Sequence, residues 1–350
     1  ILEIDENTRK NLEINNSLTG DKKSSLLSIL NKTCTNFGYR LLEHRLNAPL
    51  TDFKLINRRL LITKFFYENP TLSIQLKEIL KLCPDFERAL SRLAFYKNSF
   101  QDLITLKEGI KTSLRIKKFF NEKSINLTYP IKLIEILNSF SDFKKIDKIL
   151  DNALSEKSYQ IGDQLSQINY GYSAELDQLR DILLKSEKYI SDLESSLIKE
   201  TKISSLKIKK NNVLGYFIEV TSRNADNILK DKNSHLFYHR QTTANTYRFT
   251  NNELISIENK INTASIKISE LEYKIYDDLK KLFLDFEYEI RLSADSIGEL
   301  DFYLSLGFVS REENWVKPII TKSNELFIVQ GRHPIVEKIV NQNSEFSFIP

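Results

Sequence analysis

Apolar residues recur at helical spacing over most of this chain. From Thr8 to about Leu150 they fall three and four apart, as at Leu26, Leu27, Leu30 and Leu41, Leu42, with breaks at Pro49, Pro70, Pro84 and Pro130. The pattern predicts a helical platform over residues 1–175 whose leucines and phenylalanines are core. Two later stretches are stricter. Leu176, Leu179, Leu183, Ser186, Ile190, Leu193 and Leu197 alternate steps of three and four as in a heptad seam, which predicts one long helix over 176–200. Leu254, Ile257, Ile261, Ala264, Ile268, Leu271, Ile275, Asp278 and Leu282 repeat the pattern, so a second helix with further core is expected over 251–311. An isolated helix cannot bury such a seam, and the segment between the two is short, so the simplest closure is an antiparallel pair. At 1.5 Å per residue each helix runs about 40 Å and carries the insert between them far from the platform.

The insert, 201–250, has a different pattern. Leu206-Lys207-Ile208-Lys209 alternates apolar with basic residues, Val213 to Val220 is rich in branched and aromatic residues, and Asn211-Asn212 suits a hairpin turn. A small β-rich tip on a helical stalk is expected. Charge sharpens this reading: Lys202, Lys207, Lys209, Lys210, Arg223, Lys230, Lys232, Arg240 and Arg248 face only Glu219, Asp226 and Asp231. The insert is therefore +6 in a chain of net charge +4, which leaves the rest at −2. A concentrated cation set among Asn, Gln, Thr and Tyr side chains is the chemistry that binds phosphate oxygens. A lysine-rich edge also keeps sheets from pairing with one another, so charge alone does not decide. With no base-reading helix and no stacking platform in view, a nucleic-acid role would be sequence-independent backbone binding.

Other chemistry is sparse. Apolar residues make up 41% of the 350, enough for two or three structural units with a real core. No run approaches the roughly twenty apolar residues of a membrane span, and Ile1-Leu2-Glu3-Ile4-Asp5 lacks the features of a signal peptide. A soluble, cytoplasmic protein is expected. Cys34 and Cys83 form no CxxC pair and the four histidines are scattered, so neither metal nor disulfide is assigned. No GxxxxGK[ST] loop occurs, and no nucleophile, base and orienting group can be assembled. Without any Met, and ending at Phe348-Ile349-Pro350 in a segment that reads as a strand, the chain reads as a fragment.

Ordered motifs then point to a family. Asn7-Thr8-Arg9-Lys10-Asn11-Leu12-Glu13-Ile14 resembles the opening of the MutS core domain, and Thr33-Cys34-Thr35-Asn36-Phe37-Gly38-Tyr39-Arg40-Leu41-Leu42 through Leu46-Asn47-Ala48-Pro49-Leu50 resembles its continuation. Asp85 to Ala94 and Gly171 to Asp177 are similar to the lever region and the approach to the clamp. The most specific likeness is to the clamp: Asn211-Asn212-Val213-Leu214-Gly215-Tyr216-Phe217-Ile218-Glu219-Val220, then His239-Arg240-Gln241-Thr242, Asn245, Arg248-Phe249-Thr250 and Glu253-Leu254. Gly331 to Glu337 and Phe346 to Pro350 look like the first strands of the family's ATPase domain.

The resemblance implies a mainly α protein. Its helical core and long antiparallel lever helices would carry a small β-rich clamp, followed over 312–350 by the first strands of an α/β ATPase domain. It also implies binding of duplex DNA through Lys207 (added for its charge), Lys209, Lys210, Asn211, Arg240, Gln241, Asn245 and Arg248, with Phe348 matching an aromatic that stacks on adenine. Gly215 and Arg332-His333-Pro334 are expected to serve the fold. His239 and Tyr247 depart from the pattern, standing where a second basic residue and a glutamate are common. The full-length protein would use ATP and Mg, form a homodimer and meet a MutL-type partner. The fragment itself is expected to hold no cofactor, to lack enzymatic activity and to be a monomer. A coiled-coil scaffold with a basic protein-docking tip would explain the seams but not the ordered motifs.

Overall fold

The computed structural model describes residues 2–18, 24–95, 99–125, 127–161, 164–211, 213–230, 236–323, 325–342 and 348–350, without the side chains at 161, 164, 226, 227, 229, 230, 341 and 342. Asn212, Asp231, Lys232 and Phe346, with the side chains of Asp226 and Lys230, lie outside the described residues. Helices open the chain: α1 (Glu6–Asn11), α2 (Leu26–Leu30), α3 (Asn36–Asn47), α4 (Phe53–Glu68), α5 (Pro70–Lys81), α6 (Phe86–Phe95), α7 (Phe100–Lys123), α8 (Ile131–Asn138) and α9 (Lys144–Ala153). Their starts are written locally. Asp5, Ser25, Thr35 and Asp52 each accept the amide three residues on, while Pro70 opens α5, where its missing N–H leaves nothing unsatisfied. After β1 (Leu154–Ile161) and β2 (Gln164–Ile168) come α10 (Ala174–Thr201), β3 (Lys207–Asn211), β4 (Gly215–Thr221), α11 (Ser222–Lys230), β5 (Tyr238–Thr242), β6 (Thr246–Thr250), α12 (Asn252–Asp285), α13 (Glu287–Glu312) and α14 (Pro334–Gln342). No helix of the described residues is long and apolar enough to cross a membrane.

The chain divides into two compact units, 1–149 with 280–350, and 150–279. In the first, α13 packs against α3, α4 and α5 and is largely buried from Ile290 through Val309, with Asp295 alone exposed in that stretch. A helix with so narrow a wet face belongs near the centre of a bundle. Its buried polar residues tie down a loop. The Asp301 carboxylate accepts from Cys34 N at 3.0 Å and from Thr35 N and Thr35 Oγ1 at 2.7 Å. Ser305, one turn on, accepts from Lys32 N at 2.8 Å and donates to Leu30 O at 2.9 Å. The loop from α2 into α3 thus takes its hydrogen bonds from α13. Gly38 leaves room for this, since a Cβ there would lie 2.2 Å from Asp301 Oδ2.

Strands are expected past residue 312. Among the described residues there, 313–333 and 348–350 form none, and Pro334–Gln342 is helical. Leu326, Phe327, Ile328 and Val329 have strand composition but stand exposed. A strand is stable only when its backbone is paired, and no partner strand accompanies this segment among the described residues. Arg332 forks onto Glu337 and donates to Glu313 O at 2.9 Å, and His333 O accepts from Glu337 N, so this triplet starts α14 as a structural element.

The second unit contains the predicted antiparallel helices. Leu193 and Leu197 of α10 share one apolar cluster with Leu254 and Ile257 of α12, and Arg180 reaches Glu272 at 3.2 Å, so the residue numbers run in opposite senses. By length the helices span about 42 and about 51 Å. The seam is buried or half-buried except at Asp278, which is exposed, and near it the buried positions shift to Tyr276 and Leu279. Residues 154–161 and 164–168, predicted within the helical platform, instead pair as the antiparallel strands β1 and β2. Arg180, fully buried, fastens them: Nη2 donates to Ser166 Oγ and to Ile168 O, Nη1 meets Asp177 at 3.3 Å, and the guanidinium lies over the Tyr170 ring.

Candidate nucleic-acid interface

The basic insert folds as a four-stranded antiparallel sheet in the order β3-β4-β6-β5. Alternation along each strand sorts its residues onto two faces. One face, with Ile208, Tyr216, Ile218, Val220, Tyr247 and Phe249, packs on Leu193, Leu197 and Leu254 of the helix pair, with Ala225 and Ile228 of α11 in the same cluster. Two glutamates seat the sheet by its backbone. Glu194 of α10 accepts from Ile208 N at 2.6 Å and Glu258 of α12 from Tyr216 N at 3.2 Å. Gly215 permits the second contact: its φ is +69°, and a Cβ there would meet Glu258 Oε1 at 1.8 Å.

On the other face a polar row crosses all four strands. Gln241 of β5 accepts from Arg248 Nη1 of β6 at 2.7 Å, Arg248 Nε stands 3.5 Å from Glu219 of β4, and Glu219 pairs with Lys209 of β3 at 2.6 Å. Register brings them together, because Glu219 lies opposite Arg248 on one side and Lys207 on the other, and Gln241 lies opposite Arg248. The 3.5 Å approach is an ion-pair distance, and Arg248 Nε makes no hydrogen bond there. Arg248 also lies over the Phe217 ring, 4.6 Å from its centroid. The hydrogen bond from Lys209, with Arg248 nearby, holds the Glu219 carboxyl below the usual carboxylate range.

The predicted positions are only partly gathered. Lys207, Lys209, Gln241 and Arg248 share the outer face. Lys210 has the opposite parity, with Nζ 5.5 Å from the Tyr216 ring centroid. Asn211 closes the β3–β4 turn by accepting from Val213 N and Leu214 N, a structural role for a residue read as a phosphate contact. Asn245 lies in the β5–β6 turn, beyond the pairing of Thr221 with Thr246, so it is at the far end of β4 from Asn211, about 20 Å away at strand rise. Arg240 sits at a register shift between His239 and Gln241; exposed like Lys207, its side chain has neither hydrogen bond nor ion pair among the described residues. His239 and Tyr247 join Phe249 in a ring cluster, and His239 Nε2 lies 2.9 Å from Thr242 Oγ1. Phe348 is half-buried outside any regular element. Sequence reading missed Glu219, although the hairpin register alone places it opposite Lys207.

Fold and face together define a class: a mainly α protein in which two long antiparallel helices bear a small basic antiparallel sheet. Residues 7–307 match a family model described as MutS domain III. The DNA mismatch repair protein MutS of Orientia tsutsugamushi (strain Boryong) is 39% identical over 346 residues, which is 99% of this chain and 38% of the relative. The proteins of the same name from Rickettsia prowazekii (strain Madrid E) and Rickettsia rickettsii (strain Sheila Smith) are 35% and 36% identical, again over 99% of this chain and 38% of theirs. The chain belongs to the MutS family of DNA mismatch repair proteins, and spans about 38% of the length of these relatives.

Proposed function

We propose that this chain grips duplex DNA by its phosphates, as the lever and clamp part of a MutS-type mismatch recognition protein acting in the cytoplasm, without sequence specificity. The observation that carries the reading is the outer sheet face, where Lys207 and Lys209 lie beside Arg248 and Gln241, with Arg240 exposed on the neighbouring edge strand. Cations spread over a sheet surface suit a regular array of phosphates, and among the described residues of this face none belongs to a groove-reading helix. In the full-length protein we assign ATP and Mg binding, homodimerisation and contact with a MutL-type partner largely to sequence outside these residues, with Phe348 as the candidate for stacking on the nucleotide base. No catalytic role falls to residues 1–350 in this reading.

Fluorescence anisotropy with labelled matched and single-mismatch duplexes tests it. With about four phosphates engaged, affinity should fall roughly a hundredfold between about 50 and about 200 mM salt, and equally for both duplexes. Absence of binding at the lower salt, or a marked preference for the mismatch, would contradict this assignment.

A further inference from the structure

A phosphate-binding surface gains nothing from a carboxylate, yet Glu219 occupies the middle of this one. Its side chain is 16% exposed while that of Lys209, which it holds at 2.6 Å, is 51% exposed. The two cations beside it are not held alike. Arg248 is also fixed by the Gln241 amide oxygen and by the Phe217 ring, so it keeps its place whatever the charge at 219. Lys209 has Glu219 as its one hydrogen-bond and ion-pair partner among the described residues. The Lys207 side chain lies opposite that of Glu219 in register, with no hydrogen bond or ion pair between the two side chains among the described residues. One anionic group thus restrains one particular lysine on the face assigned to DNA.

We infer that Glu219 tunes the charge of this face: it occupies Lys209 in the free protein, a DNA phosphate must take Lys209 from it, and the competition sets the strength and salt dependence of the grip. The inference rests on the DNA reading above. Its physical basis is counterion release. Each phosphate newly neutralised by a cation adds about 0.9 to the slope of log affinity against log salt, which amounts to about eightfold in affinity at about 0.1 M salt. A lysine already paired with a carboxylate contributes only part of that gain, and the carboxylate itself repels the incoming phosphate. The row therefore sets the grip below the strongest that its cations would allow.

The test compares the 350-residue chain with its Glu219→Gln, Lys209→Ala and doubly substituted forms, by anisotropy on one matched duplex across a salt series. Glu219→Gln should bind more tightly at about 0.1 M salt, by up to about eightfold, with a slope steeper by up to about 0.9. In the Lys209→Ala background most of that gain should disappear. Unchanged or weaker binding by Glu219→Gln overturns the inference, as does a gain that persists undiminished without Lys209, which would make the effect one of diffuse charge. If Glu219→Gln melts early by circular dichroism, Glu219→Asp, which withdraws the carboxylate by one methylene, should shift affinity in the same direction by less, and a loss would be equally contrary. A wild-type chain that shows no salt-dependent binding overturns the DNA reading and this inference together, whereas wild-type binding without a Glu219→Gln gain overturns the inference alone.

Discussion

Asp301 is a charge-bearing side chain in the centre of a helical bundle, tolerated because three donors from the loop into α3 meet its oxygens. Asp301→Ala leaves those donors buried without an acceptor, and each such loss costs about 1–3 kcal/mol, so a total of about 2–4 kcal/mol is expected once the loop has relaxed. Urea denaturation measures it, and a loss below about 1 kcal/mol would mean that the loop is held by other contacts. Next to it, burial and then the charge of Asp301 push the Cys34 thiol up to about 11. At pH 8 roughly one thiol in a thousand would be thiolate, the reactive form. Iodoacetamide should therefore label Cys34 far more slowly in the native chain than in urea, and labelling at the rate of a free cysteine would refute this. The folded value lies above the ordinary thiol value of 9.0, so the thiol's contribution to stability is complete below pH 9 and is lost as pH rises toward 11.

Among the elements, the β1–β2 pair depends most on one side chain. Arg180 joins it to both long helices, and removing one member of a buried ion pair typically costs about 3–5 kcal/mol. Arg180→Ala should lower the urea midpoint accordingly, and Arg180→Leu combined with Glu272→Leu should recover part of the loss; equal losses in the two would show that the charge pair is not the cause. The helix pair was legible in the sequence because a long seam with steps of three and four can be buried only along one face of a helix, and the β3–β4 hairpin because Asn211-Asn212 stands as a turn signal between two stretches of strand composition. The β1–β2 pair was not. Its strands lack a clean alternation, and they are covered by Arg180, whose burial no periodicity announces. Asp278 was misplaced for a related reason: a 3.5-residue repeat drifts on a 3.6-residue helix, and the buried face moved on to Tyr276 and Leu279. Within the candidate site, composition identified the cations, but only register showed that Lys209, Arg248 and Gln241 form one row while Asn211 and Asn245 stand at opposite ends of β4.

For the molecule as a whole, DNA binding would be a property of distributed charge, since the insert holds more than the entire net charge of the chain. Lys209→Ala with Lys210→Ala should therefore weaken binding to matched and mismatched duplexes alike, by roughly tenfold or more near 0.1 M salt, and should flatten the salt slope by up to about 1.8. Competition anisotropy with unlabelled duplexes of both kinds measures this, and a loss confined to the mismatched one would count against it. The sheet's borders have a separate consequence. On β3 the Ile208 amide is already bonded to Glu194, and on β5 the ladder is broken at Arg240. Neither margin offers an unbroken run of free amides to a stranger's strand. Copies crowded along a single template would therefore have little tendency to zip edge to edge into a fibre.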